Sequence, residues 1–171
     1  MDMIVNKIAA SGLITLNLED YLPDENQLVS FDLKPFLFRE MILREKDFRA
    51  ALPIHDWSQY EGKNVAVHCT VDAIIPMWAY MLVASMLQEK AVSIYYGNRE
   101  EMIAHFHLKN IEAIDTAIFQ NQRVVIKGCG ARPLSAAAFI AITEKLQPVV
   151  KAIMYGEPCS TVPVFKLKKQ E

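Results

Sequence analysis

Val65-Ala66-Val67-His68-Cys69 is a short apolar run rich in β-branched residues, and runs of the same kind return at Val92-Ser93-Ile94-Tyr95-Tyr96, Val124-Val125-Ile126-Lys127 and Ala152-Ile153-Met154-Tyr155. Each reads as a strand. The segments between them, about 72 to 89, 99 to 107 and 133 to 147, carry helical spacing, with Phe139, Ile142 and Leu146 on one face of the last. Strands that alternate with helices connect by right-handed crossovers into a parallel sheet. The expected fold is therefore α/β, with a mainly parallel sheet of four or more strands flanked by helices.

Outward from that core, residues 13 to 17 and 28 to 33 alternate apolar and polar side chains around the turn-rich Pro23-Asp24-Glu25-Asn26. They read as an antiparallel strand pair at an N-terminal edge. Beyond Pro35 the spacing of Phe36, Phe38, Met41, Ile42 and Phe48 predicts one or two covering helices, ended by Pro53. No internal repeat, low-complexity segment or linker is evident, and residues 108 to 121 are the least readable. The reading is one α/β domain over 1–171: an N-terminal part, 1–53, an alternating core, 64–160, and a basic tail, 164–171.

Of the 171 residues, 52% are hydrophobic and 22% charged, and the formal charge is −2. So much apolar surface offsets the entropy of ordering and excludes a disordered or collagenous chain. A charge so near neutral supplies no general field for nucleic acid, and no nucleic-acid partner is expected. The apolar stretch Ile8 to Leu16 lacks the flanks of a signal peptide. Ala73 to Leu87 is shorter than the roughly 20 residues of a spanning helix and reads as a buried helix, so no membrane partner is expected. Three cysteines without regular spacing do not make a disulfide framework, which points to reduced thiols in the cytoplasm.

All three cysteines fall at or just beyond the carboxyl end of a predicted strand: Cys69 after the first, Cys129 after the third, Cys159 after the fourth. In a parallel sheet those ends share the edge where open α/β folds bind ligands and where helix N-termini favour thiolate. Cys129 lies ahead of Pro133, a natural first helical position, and Cys69 ahead of Asp72, a plausible cap. Asp72, Asn98, Glu157, Ser160 and Thr161 would line the same rim. Soft thiolates suit zinc, iron or an iron–sulfur cluster, and His55, in a loop after Pro53, could complete a site with Cys129, Cys159 and Cys69. Cysteine is equally a small inert core residue, a description that suits Cys69 best of the three. His105 and His107 read as solvated helix residues, and His68 as a sheet residue facing away from Cys69. Tyr80, Met77 and Met81 read as core packing of a buried helix. Gly-x-Ser-x-Gly, phosphate-loop and dinucleotide signatures are absent, and Ile75, Ser135 and Phe165 stand where a phosphatase loop needs arginine.

The segments Ile42-Leu43-Arg44-Glu45-Lys46-Asp47-Phe48-Arg49, His55-Asp56-Trp57-Ser58, Asp72-Ala73-Ile74-Ile75-Pro76-Met77-Trp78-Ala79-Tyr80 and Ile153-Met154-Tyr155-Gly156-Glu157-Pro158-Cys159-Ser160-Thr161-Val162-Pro163 resemble a bacterial family catalogued as domain of unknown function 2480. The resemblance implies an accessory role beside iron–sulfur cluster assembly proteins, and assigns no catalytic residue.

Three functional classes remain open. The first is a thiol-dependent metal-binding or iron–sulfur cluster assembly accessory protein. The second is a small-molecule enzyme with Cys129 or Cys159 as nucleophile and His55 as base. The third is a non-catalytic interaction protein, for which the high apolar content makes a homo-oligomer plausible. The sharpest geometric expectation is that Cys129 and Cys159 meet at one sheet edge.

Overall fold

In the computed structural model, which describes residues 13–128, 130 and 132–168, the four predicted core strands all form. In chain order the elements are β1 Leu13–Asn17, β2 Leu28–Asp32, β3 Leu37–Phe38, β4 Ile42–Leu43, α1 Glu45–Ala51, β5 Asn64–His68, α2 Met77–Leu87, β6 Ser93–Tyr96, α3 Arg99–Glu112, β7 Arg123–Lys127, α4 Ala136–Leu146, β8 Ala152–Glu157 and β9 Ser160–Lys166. Short 3₁₀ turns, Ser58–Tyr60 and Ala117–Phe119 among them, join several of these. The α/β class stands, with a mostly parallel four-stranded sheet in the order β1-β7-β8-β9 and a parallel three-stranded sheet in the order β2-β5-β6.

Two expectations are corrected by that order. The core strands at 65–69 and 124–127 do not share a sheet, and β1 and β2 do not pair with one another. β1 runs parallel to β7, and β2 parallel to β5. The reason is local: the chain between β1 and β2 is taken up by two 3₁₀ turns, Leu18–Tyr21 and Glu25–Gln27, instead of a hairpin. The antiparallel edge of the larger sheet is C-terminal, where β9 turns back on β8 and draws Val164, Phe165 and Lys166 of the expected tail into the sheet. Part of the predicted N-terminal helical cover is also a two-residue hairpin, β3 with β4, turned by Arg39 and Glu40 at positive φ.

The chain divides into two compact units, an inserted unit Asp24–Ile103 and a split unit made of the chain before and after it. The inserted unit buries Phe31, Leu33, Phe48, Leu52, Val65, Val67, Ala79, Val83 and Leu87. The split unit buries Leu16, Leu18, Ile111, Phe119, Val124, Ile126, Ala138, Ile142, Leu146 and Ile153.

These two cores are the same structure twice. Val65 pairs with Ile94 in one sheet and Val124 with Ile153 in the other, a constant shift of 59 (124 − 65, 153 − 94). Under that shift α2 falls on α4 end to end, and its buried stripe Ala79, Val83, Leu87 becomes Ala138, Ile142, Leu146. Gly62 N–H donates to Lys90 O at 2.9 Å and Val92 N–H to Lys63 O at 2.7 Å. Their shifted counterparts, Asn121 to Val149 and Lys151 to Gln122, are both 2.8 Å. Gly62 and Asn121 share a positive φ, as do Gly97 and Gly156. Asp56 Oδ1 accepts from Ser58 N–H, and Asp115 Oδ1 from Ala117 N–H. The first strands match under a shift of 15 in the opposite direction (28 − 13): Leu28 pairs with Asn64 as Leu13 pairs with Arg123, and Asp32 and Asn17 each accept an N–H two residues on, from Lys34 and Glu19. Val65/Val124, Ala79/Ala138, Leu87/Leu146, Gln88/Gln147, Ile94/Ile153, Tyr96/Tyr155 and Gly97/Gly156 are identical. The chain therefore contains an internal duplication that its sequence, taken without pairing partners, does not reveal.

Candidate functional site

At the carboxyl ends of β5 and β6 in the inserted unit lies a cleft of about 320 Å³, lined by His68, Cys69, Val71, Asp72, Ala73, Tyr80, Tyr96, Gly97, Asn98 and Glu101. Parallel strands end here together, and the loops that follow them diverge, which leaves a crevice. Gly97 at φ 137° turns the chain out of β6, a conformation that L side chains avoid. α3 then starts with a reciprocal cap: Asn98 Oδ1 accepts Glu101 N–H and Glu101 Oε2 accepts Asn98 N–H, both at 2.9 Å. The loop after β5 is pinned from β2. Asp32 Oδ2 accepts the Thr70 hydroxyl at 2.6 Å, while its Oδ1 accepts N–H groups of Lys34 and Thr70 at 2.9 and 3.0 Å. Partial burial pushes the Asp32 carboxyl up, but those hydrogen bonds outweigh it and hold the group below the usual carboxylate value. The Tyr80 and Tyr96 rings meet edge to face at 5.3 Å. Burial, then the neighbouring Tyr96 and Cys69 and a hydrogen bond with Tyr96, push the Tyr80 phenol up, so it keeps its proton.

Three of the residues singled out from sequence, Cys69, Asp72 and Asn98, thus come together. His68 joins them instead of facing away, because β5 ends at His68 and strand alternation no longer governs Cys69. Cys69 is half-buried at the cleft wall, packed against the edge of the inserted unit's core. Asp72 is not a helix cap, since α2 starts at Met77 after Pro76; α4 likewise starts behind Ser135, whose hydroxyl accepts Ala138 N–H.

The remaining candidates lie elsewhere. Cys159 is exposed in the turn between β8 and β9, Ser160 and Thr161 open β9, and Glu157 makes a 2.9 Å ion pair with Lys127. Cys129 lies outside the described residues, and so does its expected meeting with Cys159. His55 is enclosed by the rings of Phe31, Phe36, Trp57 and Tyr60, and its Nε2 lies 3.0 Å from the Tyr60 hydroxyl. Burial and then Asp56 push the Tyr60 phenol up, so that bond keeps its proton and His55 has an anchoring partner. Among the described residues no group of three His, Cys, Asp or Glu side chains converges to hold a metal ion. His107 is also not solvated. It is buried, with Nε2 donating to Leu18 O at 2.9 Å, and burial lowers its basicity.

The matching strand ends of the split unit are chemically different. Gly128 stands in place of Cys69 and Phe139 in place of Tyr80. A groove of about 560 Å³ is lined there by Ile126, Phe139, Ile140, Thr143, Glu144 and Tyr155, with Val162 and Val164 of β9 completing it. At other equivalent positions polarity persists in altered form: Lys127 stands in place of His68, Glu157 of Asn98 and Ser160 of Glu101, while Tyr155 matches Tyr96.

Residues 2–167 match the family described as protein of unknown function (DUF2480). The chain belongs to the DUF2480 family. No curated protein and no solved structure matches it. In this DUF2480 chain the cleft residues missed from sequence are Tyr80, Tyr96, Gly97 and Glu101. Tyr80 is disguised by an apolar helical stripe, whereas Asn98-Arg99-Glu100-Glu101 carries a readable capping pattern. Among the described residues no helix is long and apolar enough to cross a membrane.

Proposed function

We propose that the chain binds a small, donor-rich or cationic molecule in the cleft at the ends of β5 and β6. The observation that carries this reading is the convergence of Cys69, His68, Asp72, Tyr80, Asn98 and Glu101 on one concave edge. Two carboxylates line the cleft and neither Lys nor Arg does, which favours an amine over an anion. Cys69 and Cys159 are free thiols, in keeping with a cytoplasmic setting. Cys69 is then the group for thiol chemistry on the bound molecule, in place of Cys129 or Cys159. The thiol-held metal and iron–sulfur accessory reading gains no support from the described residues, because His55 is enclosed by rings and no metal-sized group forms.

The test is titration of the isotope-labelled full chain with putrescine, followed through backbone amide shifts. Saturable shifts at Cys69, Gly97, Asn98 and Glu101, weakened at least tenfold in Asp72→Asn, are expected. Absence of saturable shifts, or shifts confined to residues 123–168, overturns the reading. Metal analysis of untagged protein purified anaerobically addresses the other reading: stoichiometric zinc or iron would restore it.

A further inference from the structure

The duplication shows what covers a strand edge in one unit and leaves the equivalent edge open in the other. In the split unit β8 is flanked by β9, antiparallel, with Val162 beside Tyr155. In the inserted unit the equivalent strand is β6, and among the described residues it pairs with β5 alone. Gly97 N–H donates to Val67 O, so by alternation the N–H groups of Ile94 and Tyr96 point away from β5, toward the open edge. The side chains around this edge are apolar and exposed: Val92 at 69%, Tyr96 at 74%, and Met77 and Met81 of α2 at 70% and 72%. Tyr155, which β9 flanks, is only 37% exposed.

Sheet edges left in solvent are ordinarily blunted by proline or charge. β9, the outer edge of the larger sheet, has both in Pro163 and Lys166. β6, Ser93-Ile94-Tyr95-Tyr96, has neither. We infer that β6 is an interaction edge, and that its occupant is the β6 of a second copy of this chain, paired antiparallel. A two-fold axis normal to the sheet brings the second strand in with the polarity that β9 shows the repeated edge accepts. A pairing centred on Ile94 sets Val92 opposite the second copy's Tyr96. The apolar stripe Val92, Ile94, Tyr96 then supplies its own complement, in the role that Val162 and Val164 fill over α4. Tyr96 belongs both to this stripe and to the cleft wall, so the test below reads self-association alone, without ligand.

The test is the mass of the full chain by sedimentation equilibrium across the micromolar range. A mass twice that of the monomer is expected for the wild type, and a monomeric mass for the double variant Val92→Lys with Met81→Lys. Ile140→Lys alters the residue equivalent to Met81 in the split unit, and is expected to leave the dimer intact. A monomeric wild type at all concentrations overturns the inference, as does a dimer that survives the double variant or is lost in Ile140→Lys. A monomeric wild type would leave a strand of a different protein as the occupant. Should the double variant fail to fold, hydrogen exchange of the wild type decides. Slow exchange at Ile94 and Tyr96 that quickens on dilution supports the pairing, and fast exchange at every concentration overturns it.

Discussion

The inserted and split units share strand register, helix length and turn hydrogen bonds, yet their strand ends differ in chemistry at particular positions. The shared part is what packing demands. Small or branched residues, Ala79, Val83 and Leu87 in one and Ala138, Ile142 and Leu146 in the other, face the sheet, and Gly97 and Gly156 each follow a tyrosine where the backbone turns at positive φ. The divergent part lies at the strand ends, where the changes are coupled: a Cβ at Gly128 would run into the Phe139 ring. Cys69 against Gly128 and Tyr80 against Phe139 differ in polar atoms at little change of backbone. A duplicated scaffold thus separates residues that hold a fold from residues free to acquire function.

The equivalence can be broken most forcefully in the cores. Leu87→Ala and Leu146→Ala remove side chains that are wholly buried in equivalent places, and each is expected to cost about 2–5 kcal/mol. Urea unfolding checks this, and a neutral outcome for either would show that the two cores are not energetic equivalents.

Next in size is the glycine pair. Gly97→Ala and Gly156→Ala both force an L residue to positive φ, at about 1–3 kcal/mol each. The loss is expected to be greater at Gly156, where a Cβ would lie 2.6 Å from the Ser160 backbone oxygen; at Gly97 it would meet only side chains, the Glu101 carboxylate at 2.6 Å and the Tyr95 ring at 2.8 Å, which can shift at the cost of the Asn98 cap bond. Thermal unfolding of the two variants ranks them, and the reverse order would contradict the geometry.

The pH-dependent effect sharpens the contrast at one position. His107 stands where the inserted unit has Phe48, and both are buried. Burial first, opposed by the Leu18 carbonyl, sets the folded-state value of His107 below its ordinary 6.5. The unfolded chain therefore takes up the proton first, and stability is expected to fall as the pH drops from 6.5 through the folded-state value. His107→Phe is expected to flatten that slope while leaving the Leu18 carbonyl without its donor, a loss of about 1–3 kcal/mol. Unfolding curves at a series of pH values read both, and an unchanged slope would remove His107 as its source.

The strand cores Val65–Val67 and Val124–Ile126 were legible because fully buried parallel strands leave continuous apolar runs. Of the site, Cys69, Asp72 and Asn98 were legible through the strand-end rule, since that rule follows from chain direction alone. Tyr80 was not, because a half-buried tyrosine on an apolar helix has the same spacing as a core residue. His107 was misread for a related reason: its carbonyl partner, Leu18, is far away in the chain, and no local pattern marks a buried histidine that has been satisfied. The duplication is hidden in the sequence because the first strands match at a different shift from the rest, so no single period runs through the chain.

That the chain is α/β, where its four core strands lie, and which residues follow their carboxyl ends can all be read from the order of its amino acids. Those properties depend on local periodicity and chain direction, which are written in consecutive residues. Only the tertiary structure decided which strands pair. Parallel partners are chosen by burial of faces distant in sequence, and β1 with β7 and β2 with β5 are joined by no turn that could announce them. That choice divided one expected sheet into two and doubled the fold within a single chain.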